Sequence, residues 1–262
     1  MNSGPTRVTP FWFSLTVVTG FYLLFLLALL GSMATYTTPG QLWQAMLSPE
    51  IRYSIRLSLV TCTVSALLAL LLAVPVGYLL SRGRFAGKPL LDAALDIPIV
   101  LPPMVVGLCL LIFFQTPAGK FIERAIPFTY TIAGVVLAQF VIGAAFAVRT
   151  MRGVFDHLSS RPEDVAMTLG CSRGRAVWLV TLPAARRGMF AAFSIAWARS
   201  LGEFGPILVF AGATRMKTEV LPTSVFIELS VGRLEAAVAV SIVMVVLAMV
   251  VLVGVRIAGE RL

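Results

Sequence analysis

Charge-free apolar runs alternate with short polar segments along this chain, at 11–31, 57–81, 97–119, 125–148 and 236–255. A sixth run, 188–214, is interrupted only by Arg199 and Glu203. Each is long enough to cross a hydrocarbon core, which takes about 20 residues as helix. The pattern predicts an all-α integral membrane protein with six transmembrane helices, and an even number of crossings puts both termini on one side. The first run follows a lone Arg7, as a secretory leader would. It outruns the apolar core of a leader, about 7–15 residues, and no small-x-small cleavage site closes it, so it is expected to remain as an uncleaved anchor.

Composition agrees with a bilayer protein. Hydrophobic residues make up 58% and charged residues 13% of the 262 positions, where a soluble domain carries about 25% charge. The basic residues orient the spans, because Lys and Arg are retained in short cytoplasmic loops. With the N-terminus inside, thirteen of them fall on the cytoplasmic side, among them Arg7, Arg82, Arg84, Lys88, Arg173, Arg256 and Arg261, against seven outside. N- and C-termini are therefore expected in the cytoplasm. The same bias accounts for the net charge of +9, and no nucleic-acid partner is expected. Cys62, Cys109 and Cys171 show neither metal nor redox spacing and read as packing residues.

No internal repeat, low-complexity tract or long linker divides the chain. Residues 1–50 hold the first helix and an outer loop, and the outer segments 32–56, 116–130 and 213–235 are short and polar-aromatic. None could form a solute-binding domain, so high-affinity recognition is expected on another polypeptide. Pro75 interrupts the second run, and Pro98, Pro102 and Pro103 open the third. Each ring removes a backbone donor and bends a helix. Bent spans suit a pathway that opens and closes, although membrane helices also tolerate proline.

Between the fourth and last apolar stretches lies a polar, basic insert, residues 160–183. Ser160-Arg-Pro-Glu163 has the capping-box pattern, Glu163 and Asp164 complement a helix N-terminus, and Val165 and Leu169 share one face. Gly170 supplies a left-handed end. Ser172 is placed to open a second short segment through Val177, Trp178 and Val180, which Leu182-Pro183 is expected to stop. A short amphipathic helix of this kind fits a groove on another protein. It equally fits an interfacial helix lying on lipid.

The order Asp164-Val165-Ala166, three residues, Gly170, nine residues, Val180, one residue, Leu182-Pro183 resembles the EAA loop of type I ATP-binding-cassette importer permeases. Asp, Val and Val stand where that motif has Glu, the first Ala and Ile. The resemblance extends over residues 51–258 and implies the permease fold of that family. It also implies that Glu163, Asp164, Val165, Ala166, Leu169, Gly170, Leu182 and Pro183 couple the chain to a cytoplasmic ATPase, with Ala166 against the partner. No phosphate-cradling G-x-x-x-x-G-K-[ST] occurs, so this chain is expected to bind no cofactor, to be no enzyme, and to leave ATP and Mg to the partner.

Two further segments, DIPIVLPPMVVGL at 96–108 and ARSLGEFGPILVFAG at 198–212, resemble the molybdate and sulfate branch of these permeases, and the second, with the residues that follow it, most closely resembles the molybdate or tungstate members. Sulfate and thiosulfate permeases share much of the second segment. Arg199 and Glu203 lie at i and i+4 on one helix face. A charge near mid-bilayer usually pairs or faces water, so the pair is either a structural lock or part of an oxyanion gate together with Gly202, Gly205, Pro102 and Pro103. The resemblance implies a homodimer in the plasma (inner) membrane, working with two ATPase subunits and an extracytoplasmic oxyanion-binding protein. The rivals are an ion-coupled secondary transporter, against which stands the absence of a repeat, and a membrane enzyme, against which stands the single His157, an ordinary loop residue.

Overall fold

The computed structural model describes residues 10–260. Arg7, Arg261 and the Arg256 side chain, used above for orientation, lie outside the described residues. Among the described residues the chain is helical, with no strand. Helix α1 (Pro10–Ala34) stands apart, exposed along its length and touching the rest only lightly through α12 (Leu234–Glu260). The central bundle is α3 (Pro49–Arg82), α7 (Ile132–His157) and α10 (Leu182–Leu201), each packed against the other two.

Small side chains hold these three together. Ala66, Ala69 and Ala73 of α3, Ala147 of α7 and Ala192 and Ala196 of α10 are all fully buried. In lipid, helix association rests on close van der Waals contact rather than on burial from water, so small residues at the crossing matter most. A Cβ added at Gly77 would come within 2.9 Å of the Arg152 backbone nitrogen. That makes it the tightest approach of α3 to α7 among their glycines. Cys62 is buried in this core, whereas Cys109 is exposed on an apolar face.

Among the described residues four helices are long and apolar enough to cross a membrane: α1, α3, α7 and α12. The other two runs do not form straight spans. The run 97–119 is divided between α4 (Lys88–Val100) and α5 (Pro103–Gln115), which meet at 110°. Leu101 and Pro102 each precede a proline, which forces both to extended backbone, with ψ of 139° and 133°. The run 188–214 ends its α-helix at Leu201 and resumes as a π-helical turn, Ile207–Ala211. Pro75, by contrast, interrupts nothing: α3 runs through it as one helix of 34 residues.

The segments read as outer loops are also more structured than expected. Helix α2 (Pro39–Leu47) is closed by a capping box in which Gln41 and Thr38 exchange bonds of 2.8 and 3.3 Å. Helix α6 (Pro117–Ala125) is capped by Thr116. Helix α11 (Leu221–Ser230) tucks its first N–H onto Ser58 Oγ of α3 at 2.8 Å. The chain thus has two ends: a loop end, carrying residues 158–183, and a far end, carrying α2, α6 and α11.

Candidate functional site

At the loop end, α8 (Arg161–Thr168) does not use the capping box expected of Ser160 and Glu163, since Ser160 makes no side-chain cap bond. Glu163 turns inward instead, 5% exposed. It accepts from Tyr78 Oη of α3 at 2.5 Å and from Thr181 Oγ1 at 2.9 Å. A buried carboxylate left without donors is costly, and two hydroxyls on different elements outweigh one backbone cap exposed to solvent. The acidic doublet is therefore divided: Glu163 anchors the loop and Asp164 is exposed.

Gly170 ends α8 as expected, at φ +92°. Cys171 N donates to Ala166 O and Gly170 N to Met167 O, both at 3.0 Å, which is the Schellman arrangement. The loop presents a set of unpartnered apolar side chains: Val165 (56% exposed), Leu169 (81%), Trp178 (71%) and Leu179 (61%). Ala166 is partly covered between them.

Leu182-Pro183 does not stop the second segment. Helix α9 (Arg173–Ala176) passes through a π-helical turn, Val177–Thr181, straight into α10, and Leu182 N donates to Val177 O. Residues on either side keep helical backbone angles. One π-turn shifts the donor pattern so that Pro183, which has no N–H to give, sits in a first-turn position where none is needed. The loop and α10 are consequently one lever from Arg173 to Leu201.

The other end of that lever meets the broken helix pair. A Cβ on Gly205 would lie 2.9 Å from Met104 N and 3.2 Å from Pro103 C, and one on Gly107 would lie 2.7 Å from Pro206 Cα. The Pro102-Pro103 break and the Gly205-Pro206 break therefore abut backbone to backbone. Gly202 is exposed, and a Cβ there would meet only carbonyls of its own helix. Arg199 donates to Glu203 at 2.6 Å, with the arginine side chain 41% and the glutamate 2% exposed. The guanidinium also lies 5.0 Å over the Phe146 ring. Gln139, the lone amide of its run, ties α7 to both neighbours. It accepts from Ser65 Oγ at 3.3 Å and donates to Ser200 O, near the end of α10, at 3.2 Å.

Two ion-pair groups complete the picture. Asp92 and Asp96 of α4 face α7, where Arg152 pairs with Asp92 and, at 3.6 Å, with Asp156, while Arg149 pairs with Asp96 at 2.8 Å. At the far end Arg215 reaches Glu228 at 2.6 Å and Glu219 at 3.7 Å, and Arg233 reaches Glu228 at 3.0 Å. Arg215, Glu228 and Arg233 line a cavity of about 440 Å3 with Gln41 and Glu235. The hydrogen bond to Glu228 holds the Arg215 proton still more firmly than usual. Among the described residues no three His, Cys, Asp or Glu side chains gather where they could hold a metal.

A helical bundle with spans broken at facing proline and glycine sites, and a surface loop continuous with one of those spans, is the build of a solute permease. Comparison with known proteins makes this specific. Residues 73–262 match the family described as binding-protein-dependent transport system inner membrane component. A probable molybdenum ABC transporter permease protein of Haloferax volcanii is 34% identical over 244 residues, covering 92% of this chain and 89% of that one. The sulfate transport system permease protein CysT of Escherichia coli is 30% identical over 225 residues, covering 85% and 81%. In fold, the chain resembles a solved bacterial ABC transporter involved in import of the acidic polysaccharide alginate, at TM-score 0.77, 14% identity and 97% coverage of both chains. The chain belongs to the binding-protein-dependent transport system inner membrane component family: it is a multi-pass inner-membrane permease of the ATP-binding-cassette importers, a transport subunit and not a catalyst.

Proposed function

We propose that this chain forms the transmembrane pathway for molybdate, or for tungstate, a dianion of the same shape. In this reading six spans place both termini in the cytoplasm, the bent α4–α5 pair and the broken α10 each counting as one. Two copies pair, two cytoplasmic ATPases holding ATP and Mg dock on the loop ends, and an extracytoplasmic oxyanion-binding protein delivers solute to the far end, where α2, α11 and the 440 Å3 cavity lie.

The loop would work as a plug and lever. Val165, Leu169, Trp178 and Leu179 supply the apolar anchors a groove needs. Asp164 stays at the rim, and Glu163 fixes the plug to α3. Movement of the ATPases would pass along α9, the π-turn and α10, about 30 Å of α-helix in α10 alone at 1.5 Å per residue, to the place where the two breaks abut. Alternating access then amounts to those breaks separating and closing as ATP binds and is hydrolysed.

The observation that carries the solute assignment is the meeting of two segments. Residues 96–108 and 198–212, which resemble the molybdate and sulfate branch, the second most closely the molybdate permeases, approach each other at Pro103, Met104, Gly107, Gly205 and Pro206. Sulfate is the second reading, favoured by the similarity to a sulfate permease. Radiolabelled molybdate uptake by the assembled transporter, in cells lacking their own system, tests the choice. Uptake competed by excess tungstate and not by sulfate is expected; inhibition by sulfate alone would establish the second reading.

A further inference from the structure

Two groups of arginines among the described residues are matched by acids. Arg149 and Arg152 face Asp92, Asp96 and Asp156, and Arg215 and Arg233 face Glu219 and Glu228. One cluster is different. Where α3 ends, the elbow 83–87 and the first turn of α4 enclose a cavity of about 650 Å3 with the loop, lined by Arg82, Arg84, Lys88 and Arg173 together with Glu163 and Asp164. Among the described residues none of these four cations makes an ion pair. Arg82 donates one nitrogen to Leu158 O at 2.5 Å, but its Nε is buried without a partner. Lys88 reaches only Gly83 O, at 3.3 Å. Both oxygens of Glu163 are already committed to Tyr78 and Thr181.

Four cations against two carboxylates leave the cavity net positive, which favours a further anion. Guanidinium forks and an ammonium converging from several sides suit a group that offers oxygens in several directions. We propose that this pocket binds a tetrahedral oxyanion or phosphoryl group at the loop end, either a free anion or the phosphate of an anionic lipid headgroup. Basic pockets between spans on the cytoplasmic side take such headgroups, and α3 leaves its apolar run at Ser81, beside the cavity. The bound group would join Arg173, the first residue of the lever, to the α3–α4 elbow, and so restrain the lever against the bundle. The inference goes beyond the transport reading and does not depend on which solute is carried.

The test uses the full-length chain in nanodiscs. In one arm, discs of phosphatidylcholine alone are titrated calorimetrically with inorganic phosphate, sulfate and molybdate. In the other, discs containing phosphatidylglycerol are examined by native mass spectrometry for retained lipid. The double variant Arg84→Gln/Arg173→Gln changes two exposed side chains, and Lys120→Gln/Arg124→Gln removes the same charge at the far end. Binding is expected in one arm, and the arm identifies the source. It should weaken about thirtyfold in the first variant, at about one kcal/mol for each basic residue lost, and be unchanged in the second. Equal weakening in both variants would reduce the effect to overall charge and overturn the proposal. So would absence of binding in both arms, including the case in which Arg84→Gln/Arg173→Gln loses only the ATPase, which would make the pocket a socket for an acidic side chain of that subunit.

Discussion

Two glutamates, Glu163 in the loop and Glu203 at the break, are both buried, and they are stabilised in opposite ways. Glu163 is held by two neutral hydroxyls, Tyr78 of α3 and Thr181 of the π-helical turn. Glu203 is held by a full charge, Arg199, four residues back in the last turn of α10. The first arrangement joins three elements and cancels no charge. The second cancels charge and joins only the last turn of α10 to the break that follows it, apart from the contact of Arg199 with Phe146. A hydroxyl-held carboxylate thus pins a movable plug to a span, whereas the ion pair lets a polar break exist inside a bundle. The loop is built for attachment and the break for burial, so damage to each should be read by different measurements.

The sharpest test of that division is on the exposed side of the loop. Ala166→Asp places a charge among the apolar anchors, and Gly170→Val meets a left-handed penalty of about 1–2 kcal/mol with no steric clash to add to it. Neither residue lies within a span. Membrane levels should stay near wild type, while co-purification of the ATPase and solute-stimulated ATP hydrolysis are lost. Retained ATPase binding and full uptake in both variants would mean that the loop lies on lipid instead.

At the break the effects should be smaller and should fall on abundance. Arg199→Leu leaves a carboxylate that is 2% exposed without its counter-charge, a loss of about 3–5 kcal/mol for a buried pair, reduced here because the arginine is partly exposed. Glu203→Leu leaves a guanidinium that is 41% exposed and still over Phe146, and should cost clearly less. Thermal unfolding in detergent of both variants and of the double variant checks the asymmetry. The double loss should be smaller than the sum, and strict additivity would show the two charges to be uncoupled.

The same contrast explains what could be read from the sequence. Arg199 and Glu203 are four residues apart, so their pairing is visible in the spacing, and so are the left-handed Gly170 and the Pro102-Pro103 break. Tyr78 lies 85 residues from Glu163, and nothing local distinguishes it from any tyrosine near the end of a span. Without Tyr78 and Thr181 in view, Ser160 and Glu163 read as a capping box, which is the best local use of those residue types. Leu182-Pro183 reads as a stop for a similar reason: proline ends most helices, and the π-turn that carries the chain past it has no sequence signature. Gly107 and Gln139 had a usable signal, a glycine in the proline-rich segment and a single amide in an apolar run. The abutment of the two breaks is a tertiary fact that neither segment carries alone.

The finest test asks whether Glu163 is the attachment point of the plug or only a well-satisfied carboxylate. Tyr78→Phe removes one of its two donors and nothing else, since the ring keeps its edge contact with Phe155, 5.6 Å between centroids. Leaving one side of a buried acceptor unpaired costs about 1–3 kcal/mol, enough to loosen the loop without unfolding the bundle. The variant should insert normally, bind ATPase, and show solute uptake lowered severalfold relative to the ATP it hydrolyses. Tyr22→Phe, on the exposed face of α1, should change nothing. Adding Glu163→Gln to Tyr78→Phe removes the charge that needs the donor while keeping an oxygen for Thr181, so the double variant should couple better than Tyr78→Phe alone. A double variant no better than the single one would show that the Tyr78 hydroxyl acts on something other than Glu163.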